Sequence, residues 1–289
     1  MYENIAVMNK ILVPFDFSEV SMNALKFATQ MTRQAEACEL ILLNVIEHPT
    51  PSSFKTMGVT DYDPLENIYM KKLMESVKGK LEELLNGSDF EEIAATYKLK
   101  IGNPYHEISA EISEENADLV VMGTSGASGL EEYLVGSNAE RVVRMATCPV
   151  ITMQEPANVA EINDIVFASN FHDVKPNFVD HILKLQYLFD AELKIVKINT
   201  PANFTTTRHD QEVMDDFVKR FDIKNCSTAI YNYTNEEDGI VAYAEDIDAD
   251  MIALGTHQRT GLGHFLTGSI AEDVVNHAKR PVWTLDLET

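Results

Sequence analysis

The stretch from Ala117 to Met153, ADLVVMGTSGASGLEEYLVGSNAERVVRMATCPVITM, is echoed by ADMIALGTHQRTGLGHFLTGSIAEDVVNHAKRPVWTL from Ala249 to Leu285. The two align without a gap and agree at 17 of 37 positions, among them Gly123/Gly255, Gly129/Gly261, Gly136/Gly268, Ser137/Ser269, Glu140/Glu272 and Pro149/Pro281. Matches of glycine, serine, glutamate and proline go beyond apolar patterning, so the chain repeats one folding unit. The starts of the two units echo each other more faintly, as ILVPFDFSE from Ile11 to Glu19 and IVFASNFHD from Ile165 to Asp173. The seam is expected between Glu155 and Ile162, where QEPANVAEIN loses periodicity and sets Pro156 between two strand-like runs. That gives domains at 1–155 and 162–289.

Within each unit, short β-branched apolar runs alternate with longer segments of helical period, the mark of βαβ units and a parallel sheet covered on both faces. Strands are expected near 10–15, 40–46, 93–99, 118–123 and 149–153, and again near 164–168, 192–198, 226–231, 250–255 and 281–285. The first helix should start at Ser18 as N-cap and carry Val20, Ala24, Phe27, Ala28 and Met31 at helical spacing. The fold class is therefore α/β, as two tandem doubly wound domains of five parallel strands each. Ligands of such sheets sit beyond the carboxyl ends of strands where strand order reverses, which directs attention to the loops after the first and fourth strands.

Composition agrees with two self-sufficient cores. A chain of 289 residues divides into two domains of ordinary size. Cys38, Cys148 and Cys226 are odd in number and widely spaced, which fits reduced cysteines and not a disulfide framework. With 46 acidic against 23 basic residues the formal charge is −23, which repels nucleic-acid backbones and anionic membranes. The start of the chain lacks a charged-then-apolar leader, and no apolar run is long enough to cross a bilayer, so a cytoplasmic protein is expected.

The fourth strand runs into Gly123-Thr124-Ser125-Gly126, and Gly136-Ser137 follows just before a helix. Glycines permit close approach of main-chain amides to a ligand, and a helix start offers unpaired N–H groups to an anion. Phosphate is the natural guest, although neither the Walker spacing nor GxGxxG is present. Ser137 with Glu140, and Ser269 with Glu272, also read as capping boxes, which need no ligand.

Gly123, two residues, Gly126, nine residues and then Gly136-Ser137 matches the G-x2-G-x9-G-[S/T] signature of the universal stress protein family. The opening ILVPFDFSE, the LLNVIEHP from Leu42 to Pro49 and the AERVVRMATCPV after the signature also resemble that family. The resemblance implies a Rossmann-like, adenine nucleotide alpha hydrolase-like sheet in each half and a stress-response regulator. It further implies bound ATP or AMP, and a pseudo-dimer of the two halves within one chain; pairing of two chains is left open. Carried over by position, Asp16 would face the ribose and Val45 would meet the adenine through its main chain. Met122 and Gly123 would lie near the sugar, and Gly126, Gly136, Ser137 and Asn138 would cradle the phosphates. Asp16 also reads as a turn residue closing its strand.

The second half departs from the signature. Gln258 replaces the second glycine, and Asn170 stands where Asp16 does, so a degenerate, structural copy is expected. The first loop has no Lys or Arg, and Glu131 and Glu132 add negative charge, so either Mg2+ supplies the missing charge for ATP or, without it, AMP or ADP fits better. No base or cationic finger is placed for phosphoryl transfer, which limits any hydrolysis to a slow one. The alternative is a nucleotide-free tandem scaffold for protein partners. His257 and His264 match no metal spacing, Trp283 is expected in the core or at the interface between the halves, and the stretch from His48 to Asp63 reads as a long connection or a lid.

Overall fold

The computed structural model describes residues 8–35, 37–47, 64–124, 137–172, 174–256 and 270–287. The first half runs β1 (Lys10–Pro14), α1 (Glu19–Gln34), β2 (Glu39–Ile46), α2 (Pro64–Leu85), β3 (Ala94–Ile101), α3 (Pro104–Glu115), β4 (Leu119–Gly123), α4 (Ser137–Met145) and β5 (Val150–Met153). The second repeats it with β6 (Asp164–Ala168), α5 (Pro176–Phe189), β7 (Glu192–Asn199), α6 (Thr207–Arg220), β8 (Cys226–Asn232), α7 (Glu236–Asp246), β9 (Met251–Thr256), α8 (Ile270–His277) and β10 (Val282–Asp286). Each expected strand is found within a residue or two of its predicted bounds.

Local chemistry accounts for the elements. Ser18 caps α1 by accepting a hydrogen bond from the Ser21 amide, and Ala24, Phe27, Ala28 and Met31 form its buried stripe. Asn103 and Asn235 cap α3 and α7 in the same way. The repeated Asp118 and Asp250 each join strand starts: Asp118 Oδ2 accepts from the Asn9 and Lys10 amides at 2.7 and 3.0 Å, and Asp250 Oδ2 from Asn163 and Asp164 at 2.8 and 2.9 Å.

The ten strands form one sheet in the order β3-β2-β1-β4-β5-β10-β9-β6-β7-β8, parallel within each half. The halves meet where β5 pairs antiparallel with β10, Ile151 opposite Trp283. In the sequence repeat these two residues are each other's equivalents, so a pseudo-twofold axis passes through the pair. Thr152 and Thr284, also equivalent, obey the axis, their hydroxyls donating to Val282 O at 3.3 Å and Val150 O at 3.4 Å. Each half thereby hides the strand edge that the other would leave open.

Both faces of the sheet carry cores that run across this junction. One extends from Phe27 of α1 through Ile151 and Trp283 to Phe178 of α5 and Phe217 of α6. The other joins Ile108, Val120 and Val142 to Val282, Ile252 and Val274. The seam itself is packed: Val159 and Ile162 are buried, and the Val159 amide donates to Gln30 Oε1 at 2.8 Å. Trp283 therefore fulfils both parts of its expectation, core and interface. Cys38 and Cys148 are buried free thiols, pushed up by burial to about 11 and about 12.

The outer edges differ in chemistry. In the first half Glu111, wholly buried, is ion-paired to Lys98 and Lys100, while Glu115 bridges Lys98 and Lys10. In the second half Tyr231 pairs with Ile198 as Lys100 pairs with Val45, packs on Tyr243 with ring centroids 5.4 Å apart, and donates its hydroxyl to Asp246 at 2.6 Å. An ionic edge has been exchanged for an aromatic one.

Candidate functional site

In the first half the strand order reverses between β1 and β4, and β2, β1 and β4 lie side by side. Their carboxyl ends bring Val45, Asp16, Met122 and Gly123 together. Gly126 and Gly136 lie outside the described residues, as does the Ser137 side chain. The helix start at Ser137 is described, and Asn138 is half-buried in its first turn.

Asp16 is exposed at the end of β1, and its Oδ1 accepts from the Ser18 amide at 3.0 Å. Phe17 between them adopts φ 65°, so the carboxylate helps to hold a left-handed turn into α1. Asn170 does the same in the second half, accepting from the His172 amide at 3.0 Å across Phe171 with φ 60°. The turn thus works with either side chain.

Met122 is buried in the core, so a sugar near it would meet its main chain. Gly123 does not have positive φ; what excludes a side chain is α1, because a Cβ there would stand 2.9 Å from the main-chain carbon of Val20. Close packing of α1 is thus a reason for glycine at this position. Gly255 has the same need for a different reason, its Cβ site lying 2.5 Å from the Leu287 side chain.

Sequence reading passed over Thr124. It follows Gly123, is 1 % exposed, and its hydroxyl has no hydrogen-bond partner among the described residues. Thr256, its equivalent after Gly255, is 3 % exposed with the same orphaned hydroxyl. The signal was present in the repeat, where both glycines are followed by threonine.

In the second half the carboxyl ends of β7 and β8 carry a polar network. Asn199 donates to Asn232 Oδ1 at 2.9 Å and accepts from the Thr205 amide at 3.2 Å; Thr200 donates to Asn203 Oδ1 at 2.8 Å, and Asn203 to Glu236. Below them Lys197 Nζ lies 2.6 Å from Asp210 Oδ1, both groups buried. Burial pushes the Asp210 carboxyl up, but the Lys197 and Thr205 hydrogen bonds outweigh it and leave the group below its usual range. Helix α7 sits directly on Ile198, the equivalent of Val45: a Cβ on Gly239 would come 2.6 Å from Ile198 Cγ2. The matching position in the first half is Glu107. His257, His264 and the stretch from His48 to Asp63 lie outside the described residues, among which no group of three metal-ligating side chains occurs.

The universal stress protein family model matches residues 8–153 and again 162–285. The chain belongs to this family. Its tandem character shows in its relatives: universal stress protein YxiE of Bacillus subtilis (strain 168) is 31 % identical over 156 residues, which is 51 % of this chain and all of the relative. A universal stress protein of Methanocaldococcus jannaschii is 34 % identical over 153 residues, covering 51 % of this chain and 82 % of the relative. The crystal structure of a universal stress protein from Archaeoglobus fulgidus shares the fold across both halves, with TM-score 0.75 at 22 % identity over 97 % of this chain and 99 % of that one. No described helix of this universal stress protein is long and apolar enough to cross a membrane.

Proposed function

We propose that the first half of this universal stress protein binds one adenine nucleotide and acts as a stress-response regulator, while the second half is a structural copy that completes the sheet. The reading is carried by the side-by-side carboxyl ends of β2, β1 and β4, beside which the exposed Asp16 carboxylate stands at the switch point of the sheet. Asp16 would accept from ribose hydroxyls and the Val45 main chain would meet the adenine. Met122 and Gly123 would border the sugar. Gly126, Gly136, Ser137 and Asn138 would surround the phosphates at the start of α4. The residues suit ATP or AMP, and because the loop has no cation of its own, Mg2+ would supply charge to a triphosphate. Gln258 in place of the second glycine, and the close contact of α7 with Ile198, support the structural role of the second half.

Calorimetric titration of ATP, ADP and AMP, with and without magnesium, into the wild type and Gly126→Gln tests this. One equivalent of binding that the variant loses is expected. A second reading, a nucleotide-free scaffold for protein partners, draws support from the shared turn in which Asp16 and Asn170 serve equally well. Absence of binding by the wild type would favour it.

A further inference from the structure

A buried hydroxyl without a partner is costly, since it gives up its water and receives nothing in return. Thr124 bears that cost at the end of the central strand β4. Its amide is already used, donating to Met153 O at 3.1 Å. Its hydroxyl is 1 % exposed and has no partner among the described residues.

Strand alternation decides which way it faces. Thr256, its equivalent, is still within β9 and lies two residues beyond Leu254, which packs in the core shared with Ala271 and Val274 of α8. Thr124 correspondingly lies two residues beyond Met122, in the core shared with Ala139 and Val142 of α4. The hydroxyl is thus on the α4 side of the sheet, at the strand end from which the chain leaves toward the start of that helix. Helix α4 has nine residues, and its first amides are donors of the kind that anions use.

We propose that Thr124 is a ligand-contacting residue whose hydroxyl donates to an anionic oxygen of a phosphate group held against the start of α4. The proposal rests on the nucleotide reading above and adds a residue to that site. A donor pre-placed in a water-poor position makes a strong bond to a charged oxygen, which offsets the cost carried in the ligand-free protein.

The test compares wild type, Thr124→Val, Thr124→Ser and Thr256→Val. Thr124→Val should weaken AMP by about ten- to a hundredfold, the range expected for a hydrogen bond to a charged group. It should leave adenosine, which has no phosphate, bound as before. Thr124→Ser should keep wild-type affinity, and Thr256→Val should bind AMP normally. Ligand-free Thr124→Val should also melt above the wild type, because the unpaired hydroxyl is gone. Unchanged AMP affinity in Thr124→Val, equal loss of AMP and adenosine, or an equal loss of AMP in Thr256→Val would each overturn the proposal. If the wild type binds neither AMP nor adenosine, the nucleotide reading falls and melting in pyrophosphate decides for the hydroxyl. A rise in the wild-type midpoint that Thr124→Val lacks retains the contact, and no such rise refutes it.

Discussion

Replacing Ile151 by Ala should weaken both halves of the molecule at once. Ile151 is fully buried at the pseudo-twofold axis, paired with Trp283, and belongs to the core that runs from Phe27 to Phe217. An isoleucine-to-alanine change in a packed core costs about 2–5 kcal/mol, and a site with a tryptophan opposite relaxes poorly, which argues for about 3 kcal/mol. At 1.4 kcal/mol per factor of ten, that raises the globally unfolded population by about a hundredfold. Hydrogen exchange reads the outcome strand by strand. The slowest amides of β1 and β2 and those of β6 and β7 should accelerate by the same factor, although Ile151 touches neither β6 nor β7 in the sheet. Trp283 is the chain's single tryptophan, so its fluorescence and the far-UV circular dichroism should also share one denaturation midpoint. If exchange in β6 and β7 keeps its wild-type rate while the first half opens, the halves are independent and the argument for one joint core is wrong.

Two further outcomes follow from buried and bridged charges. Asp210→Asn should cost about 3–5 kcal/mol by leaving the Lys197 ammonium buried without its counter-ion, whereas Lys197→Met combined with Asp210→Leu should recover much of it; urea unfolding of the three proteins checks this. Hydrogen bonds from Lys10 and then Lys98 hold the Glu115 carboxyl down at about 2, so its stabilisation is complete above the ordinary value of 4.5 and is lost as pH falls from there toward 2. Acid unfolding of Glu115→Gln should accordingly show a shallower decline across that window than wild type, and parallel curves would dismiss the contribution.

The repeat made the fold legible. Once Ala117 to Met153 was matched to Ala249 to Leu285, the strand runs and Ser18 as a cap followed from local rules, because parallel central strands are buried on both faces and announce themselves as apolar runs. Trp283 was assigned correctly because its equivalent, Ile151, fell in the equivalent strand. What could not be read was which edges pair: β5 and β10 look like any other apolar strands, and their antiparallel union depends on tertiary surfaces to which both halves contribute. The site was legible as a set of positions but not as a set of roles. Gly123 reads from the sequence as a glycine that lets main-chain amides approach a ligand, and the nearness of Val20, which no local pattern announces, is a second reason for it. The polar network at the ends of β7 and β8 was invisible because Asn199, Asn203, Asn232 and Glu236 come from separate segments with no motif spacing.

That distinction bears on how much the repeat can say about ligands. Identity between the halves at Asp118/Asp250 is explained by strand-start amides, at Thr152/Thr284 by the twofold junction, and at Gly123/Gly255 by neighbours that leave no room for a Cβ. Residues kept at these positions are those the shared architecture requires, and they argue little for binding; Thr124 and Thr256, whose hydroxyls serve no such contact among the described residues, stand apart. The positions that separate the halves argue more: Asp16 against Asn170 and Gly126 against Gln258, and the Val45 region against an Ile198 covered by α7. The outer edges diverged as well, with Lys98 and Lys100 around Glu111 on one side and Tyr231 on Tyr243 on the other, while the junction stayed symmetric. A junction that stays symmetric while the outer edges and the signature positions diverge is the pattern that the proposal of a single ligand site serving two joined domains predicts.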